Sequence, residues 1–243
     1  MCTLSWWIDQ ESRGVFFNRD EKFTRSRGLP PQVVKSEGYD ILMPVDPDAG
    51  GTWIGVNEMG VVVALLNNYP HYQETSPDQR SRGQLVFDLL KQSESATDCM
   101  QRLSNQNLRR YRGFLLFTMD SESKPQASDW AGISLRPIPL LDSHGLHLLT
   151  TSSVRSEACI DYRRNLFCRN SRTPDYLRRK HHHFEHSDTA LGPLMIRDDA
   201  ATDSFTEVRL NGASSTMSFQ AISSNPPELA PPVIRKIAMA IAK

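Results

Sequence analysis

A cysteine at position 2 and an Asn-Arg-Asp-Glu run at 18–21 are the residues of this chain whose types and spacing could do chemistry. Cys2 stands directly behind Met1 in MCTLSWWID. Methionine aminopeptidases remove Met1 when the next side chain is small, and cysteine qualifies. Removal exposes an α-amine on the residue that carries the thiol. Such an amine has a reference pKa of roughly 7.7 to 8.0, close enough to neutrality to exchange a proton with the thiol. Thiol and amine together form a nucleophile with a built-in base. Many chains begin Met-Cys without consequence, so Cys2 alone favours no mechanism. The second run shifts the balance. NRDE sets two carboxylates, a guanidinium and an amide at the end of the apolar VFF, where charge is costly unless paired or functional. In a hairpin turning near residues 10–13, residue 20 falls close to residues 2–4, and Asp20 comes near the amine of Cys2. A surface ion pair at a strand end competes with that reading on pattern alone.

The elements that must position these residues are mostly strands. TLSWWID (3–9) and GVFFNRD (14–20), separated by the polar QESR, predict an antiparallel hairpin. DILMPVD (40–46), TWIGVN (52–57) and the near-continuously apolar GVVVALLNN (60–68) predict further strands, the last covered on both faces. Two helices follow, over 81–92 and over 95–104 behind a Ser95 cap. Strands resume at 112–120, 129–135 and 146–153, one or two exposed helices occupy 154–186, and 204–212 with 215–223 form a final hairpin around Asn211-Gly212. From about residue 224 the chain reads as a linker-like tail ending in a short amphipathic piece. Segregated runs of strands and helices argue for antiparallel sheets covered by helices within one domain, 1–243, and against alternating βαβ units.

Composition bounds the function. Lys plus Arg and Asp plus Glu both number 28, so a neutral chain has no global electrostatic reason to seek nucleic acid. Four cysteines are too few for a disulfide scaffold at 243 residues. Asp9 and Glu11 interrupt the N-terminal apolar stretch before a signal peptide could form, and no run approaches the length of a membrane span. A cytoplasmic, reducing location is the default expectation.

Four spaced motifs carry a family resemblance: MC at the start, FFNRDE, GGTWIGVNEMGVVVALLNNY and RDDAATDSFTEV. Together they resemble the NRDE family, also called the transport and Golgi organisation protein 2 family, across most of the chain. That family is similar to the N-terminal-nucleophile hydrolases, which implies an α+β fold, a four-layer αββα sandwich of two stacked antiparallel sheets between helices. The resemblance implies Cys2 as nucleophile, Asp20 as the acid that meets the amine and thiol of Cys2, and Asn67 as oxyanion donor. Arg19 departs from the hydrolase pattern, whose arginine stands three residues before the aspartate; strand alternation sends Asn18 and Asp20 to one face and Arg19 to the other, unless a bulge intervenes. Where the hydrolases carry a later asparagine, this chain offers Thr151, Ser152 and Ser153. Arg197 stands in the place of a late arginine. Asn18 and Trp53 are candidates for substrate binding, and Trp53 fits the core between the sheets equally well.

Other patterns are weaker. HHHFEH (181–186), with Cys159 and Cys168 upstream, lacks the spacing of a structural zinc site and reads as a solvated charged face. GGTWIGVN lacks the glycine spacing of a dinucleotide site, and no motif calls for a cofactor. The basic RRNLFCRNSR and YLRRKHHH leave weak contact with anionic lipid open, and the oligomeric state is not legible. Two functions follow from the residues and the resemblance: an N-terminal cysteine hydrolase of a linear amide bond, or a non-catalytic binding or trafficking protein for a hydrophobic small molecule such as a lipid, an acyl chain or haem.

Overall fold

A computed structural model describes residues 2–69, 78–140, 147–168, 173–223 and 226–240. In chain order the strands are β1 (Cys2–Ile8), β2 (Arg13–Lys22), β3 (Leu29–Val34), β4 (Ile41–Val45), β5 (Ile54–Asn57), β6 (Val62–Asn67), β7 (Phe114–Met119), β8 (Gln126–Trp130), β9 (Leu135–Pro137), β10 (Leu148–Thr151), β11 (Ala200–Asn211), β12 (Ser214–Ala221) and β13 (Val233–Ala238). The helices are α1 (Arg82–Leu90), α2 (Ala96–Ser104), α3 (Ser156–Phe167) and α4 (Pro174–His181). One antiparallel sheet runs β10-β1-β2-β11-β12-β13, and the other runs β3-β4-β5-β6-β7-β8-β9.

Alternation along β1 and β2 builds two layers at once. Leu4, Trp6, Val15 and Phe17 face the second sheet, where they pack with Ile54, Val62, Ala64 and Phe117. Trp7 and Phe16 face the other way, against Phe167 of α3 and Leu177 of α4. On the far side, Leu85, Leu89 and Cys99 of α1 and α2 cover Val61, Val63 and Leu65. The run Val62–Leu66 is apolar throughout because both faces of β6 are covered. Each fully buried Leu or Phe in these layers contributes about 1.5–3 kcal/mol. The architecture is the αββα sandwich of an α+β fold.

The first hairpin turns where the sequence placed it. Asp9 Oδ1 accepts the backbone N–H groups of Glu11 at 2.9 Å and Ser12 at 2.7 Å, closing the turn between β1 and β2. Helices α1 and α2 are capped by Ser81 and the expected Ser95, whose hydroxyls accept from Gly83 and Asp98. Two expectations are corrected, and one strand was not foreseen. The stretch 129–135 holds no single strand, because the chain breaks after Trp130 through Gly132 at φ 90° and resumes as β9. LPPQVV forms β3, whose Pro30 and Pro31 lack an N–H and are tolerated because the strand lies at a sheet edge. The tail expected to be linker-like from about 224 supplies β13, which pairs with β12 and buries Ile237. The prolines at 226–227 and 231–232 both precede that strand and do not exclude it. Among the described residues, no helix is long and apolar enough to cross a membrane.

Candidate active site

A cavity of about 370 Å³ is lined by residues of both sheets and by the start of α1. It brings together Cys2, Arg19, Asp20, Trp53 and Asn67. Four of these five were candidates for one site through the resemblance, and Trp53 joins them as a wall residue.

Cys2 is the first residue of β1 and stands opposite Arg19 of β2 and Thr151 of β10. Its side chain is buried, and burial pushes the thiol up to about 11. The nearby charge of Asp20 raises it further, while the Asp20 backbone N–H and the Arg19 cation act in the opposite sense. A thiol of pKa about 11 is only about one part in ten thousand thiolate at pH 7. The thiol of Cys2 therefore needs a base beside it to react at neutral pH.

Asp20 is buried near the end of β2. Its Oδ1 accepts a 2.7 Å hydrogen bond from Thr202 Oγ1, and Oδ2 is buried with no hydrogen-bond partner among the described residues. Burial raises its carboxyl pKa, while the charges of Arg163 and Arg197 pull it back. A buried carboxylate oxygen without a donor is costly, and it leaves a position beside Cys2 that a cation would fill.

Arg19 lies on the Cys2 face of the sheet, as alternation requires, with Asn18 and Asp20 on the other. The bulge that could have altered this is in β11: Thr202 pairs with Asp20, Ser204 with Arg19, and Asp203 is the extra residue. That bulge supplies Asp203 Oδ2 to Arg19 Nη1 at 2.8 Å. Glu21 accepts from Arg19 Nη2 at 3.0 Å, and the guanidinium stacks over the Trp53 ring at 4.4 Å. Trp53 thus serves both readings, as it belongs to the core between the sheets and to the cavity wall. Its buried indole N–H has no acceptor among the described residues.

Asn67 ends β6 in the facing sheet, and its Nδ2 donates to Tyr69 Oη at 3.0 Å. An amide carries two N–H groups, so this bond leaves one for a ligand in the cavity. Asn18 is elsewhere. It faces α4, donating from Nδ2 to the carbonyls of His181 and Pro193 at 2.9 Å each, while its Oδ1 lies 3.0 Å from His181 Nδ1. The substrate-binding assignment of Asn18 is corrected: its side chain is tied into the helical layer by His181 and Pro193, whereas Asp20, on the same face but nearer the end of β2, still reaches the cavity. Thr151 and Ser152 line a separate cavity of about 230 Å³, and Ser153 meets Arg197 at 3.3 Å.

The histidine run is no uniformly solvated face. His181 is fully buried, with Nε2 2.8 Å from Ser5 Oγ and its ring among Phe16, Phe167 and Phe205. His183 pairs instead with Tyr162 at 2.9 Å. Among the described residues, no group of three or more His, Cys, Asp or Glu could hold a metal ion.

Sequence reasoning missed Thr202, Asp203 and Arg163. The first two lie inside RDDAATDSFTEV, yet only the bulge register shows which one turns to Asp20 and which to Arg19. Arg163 is fully buried and donates to Thr3, Thr150, Leu191 and Gly192. Its signal was present: Cys159, Arg163 and Phe167 share the buried face of α3 at a spacing of four.

Comparison with known proteins agrees with the fold. The chain resembles penicillin V acylase from Agrobacterium tumefaciens, with a TM-score of 0.53, 13% identity, and 94% of this chain and 84% of that one covered. It resembles the Caenorhabditis elegans N-acylethanolamine-hydrolyzing acid amidase orthologue, with a TM-score of 0.54, 11% identity, and 85% and 92% covered. A mutant of the conjugated bile acid hydrolase from Clostridium perfringens gives 0.52 and 13%, with 100% and 99% covered. At these identities the likeness is one of fold. In sequence, the chain is 29% identical over 142 residues to the Transport and Golgi organization 2 homolog of Mus musculus. That match takes in 58% of this chain and 49% of the relative, so it spans about half the relative's length. The Transport and Golgi organisation 2 family matches residues 1–173, well over half of the sequence, and the chain belongs to that family.

Proposed function

We propose that the protein is an N-terminal cysteine hydrolase acting on a linear, non-peptide amide bond. The observation that carries this reading is the presence, in one cavity, of a buried thiol and a buried carboxylate oxygen with no hydrogen-bond partner among the described residues. Removal of Met1 places an ammonium on Cys2, where Asp20 Oδ2 is the acceptor for it. Deprotonated, the same amine takes the thiol proton, and sulfur attacks the amide carbonyl. The free N–H of Asn67 stabilises the oxyanion from the facing sheet. The amine then gives its proton to the leaving nitrogen as the C–N bond breaks, leaving a thioester that water hydrolyses to the acid and free thiol. Arg19, held by Asp203 and Glu21, fixes the wall opposite Cys2. The fold neighbours, named as an acylase, an acid amidase and a hydrolase, support the same reaction class.

A carrier role for an apolar molecule in this cavity is less well supported, since arginines and carboxylates make up much of its lining. Steady-state kinetics on a panel of N-acyl amides separates the two. Turnover by the processed protein is expected, with none in Cys2→Ala. Asn67→Ala is expected to lower kcat by about 10²- to 10³-fold with KM nearly unchanged. A wild type that turns over no amide, together with a Cys2→Ala variant that binds an apolar ligand normally, supports the carrier.

A further inference from the structure

We propose that Arg82, with Arg112 beside it, forms a carboxylate-binding subsite in the Cys2 cavity, so that the substrate is an amide carrying a carboxylate. This deepens the hydrolase reading and rests on it.

Five arginines line the cavity against three carboxylates. Most of that charge is settled internally. Arg19 is held by Asp203 and Glu21, Arg25 meets Asp46 at 2.6 Å, and Arg80 meets Asp88 at 3.2 Å. Arg82 and Arg112 differ: neither has a carboxylate within 4.0 Å among the described residues. Arg82 Nη1 donates to the Gly113 carbonyl at 2.9 Å, and Arg112 Nε donates to the Gln79 amide oxygen at 3.2 Å. Each acceptor is neutral, and a guanidinium has five N–H donors to satisfy.

The position of Arg82 sharpens the argument. It is the first residue of α1, so the positive end of the helix adds to its charge. That end is seated by glycines. A Cβ on Gly51 would come 2.4 Å from the Gly83 carbonyl carbon, and Thr52 N–H donates to Gly83 O at 3.2 Å. The first turn of α1 is therefore pressed onto the segment that leads into Trp53. Arg82 is half-buried, and burial lowers its pKa, as does the like charge of Arg112. Tyr69, Cys2 and Glu21 act on it in the opposite sense, which sets Arg82 within electrostatic range of the reacting sulfur. Two neighbouring cations in a partly dry wall are costly unless an anion joins them. A planar carboxylate matches the guanidinium fork, and a substrate amide in this cavity brings one to it.

The test uses the full chain with Cys2→Ala, so that ligands persist, and compares N-octanoylglycine with N-octanoylethanolamine by calorimetry. The glycine conjugate is expected to bind about 10- to 100-fold more tightly, the range for charge-assisted hydrogen bonds. Arg82→Gln should abolish that preference at an unchanged melting temperature, and Arg82→Lys should restore part of it. If Arg82→Gln lowers the melting temperature, Arg112→Gln, at an exposed position, serves in its place and should shrink the preference several-fold. Equal affinities, a preference that survives these substitutions, or no binding of N-octanoylglycine would overturn the subsite. A preference that is lost in Arg82→Gln, in a protein whose wild type hydrolyses neither compound, supports the subsite and removes the hydrolase.

Discussion

Asn18 and Asn67 carry the same side chain and meet different surroundings. Asn67 looks across the cavity from the facing sheet, whereas Asn18 ties His181 and Pro193 to β2. Asn18→Ala would strand two buried carbonyls and one ring nitrogen, at about 2–3 kcal/mol. Thermal melting should show that loss, and kcat and KM per folded molecule should hold. A fall in kcat without a fall in melting temperature would return Asn18 to the cavity. At this scale the meeting of Cys2, Asp20 and Asn67 at one cavity was legible through the family resemblance, and the direction of Arg19 through strand alternation. Asn18 was misread although the same alternation set it apart from Arg19. Thr202 and Asp203 were not legible, since a one-residue bulge in β11 decides which faces Asp20 and which faces Arg19.

At the level of elements, α4 ends in a group that titrates unfavourably. Burial depresses the His181 pKa well below its ordinary value, and the charges of His182 and Arg163 depress it further. Burial likewise takes His182 down to about 4. A histidine depressed in the folded state binds its proton more readily when unfolded, so its contribution to stability is present above its unfolded pKa of about 6.5 and is lost as pH falls toward the folded value. Chemical denaturation should therefore show stability falling below pH 6.5, by up to about 1.4 kcal/mol per pH unit for each such histidine. His181→Gln should flatten that limb, and an unchanged slope would mean that His181 titrates alike in both states. Strands with clear alternation or a covered apolar run, such as β1, β2 and β6, were legible with small shifts in their ends. Edge strands β3 and β13 were not: the prolines inside β3 are harmless beside a free edge, and the proline pairs ahead of β13 end before its first residue.

For the molecule as a whole, the two sheets do what neither could do alone. One brings Cys2, Arg19 and Asp20, the other brings Trp53 and Asn67, and a neutral chain concentrates five arginines on one cavity. The layered fold was legible from segregated strand and helix runs and from the family motifs, whereas local charge was hidden by a net balance of zero. The proposed reaction depends on Cys2 more than on any other residue, and on Cys2 free of Met1. Four cysteines offer an internal comparison: Cys99 and Cys159 are buried in helical layers, Cys168 is exposed, and Cys2 opens on the cavity. The most direct measurement is mass spectrometry of the protein purified from cells, intact and then peptide by peptide, after timed exposure to iodoacetamide at pH 7. The expected result is that Met1 is absent and that Cys2, its thiol served by its own amine, is alkylated faster than Cys168. Quantitative retention of Met1, or an inert Cys2 beside a readily alkylated Cys168, would contradict it.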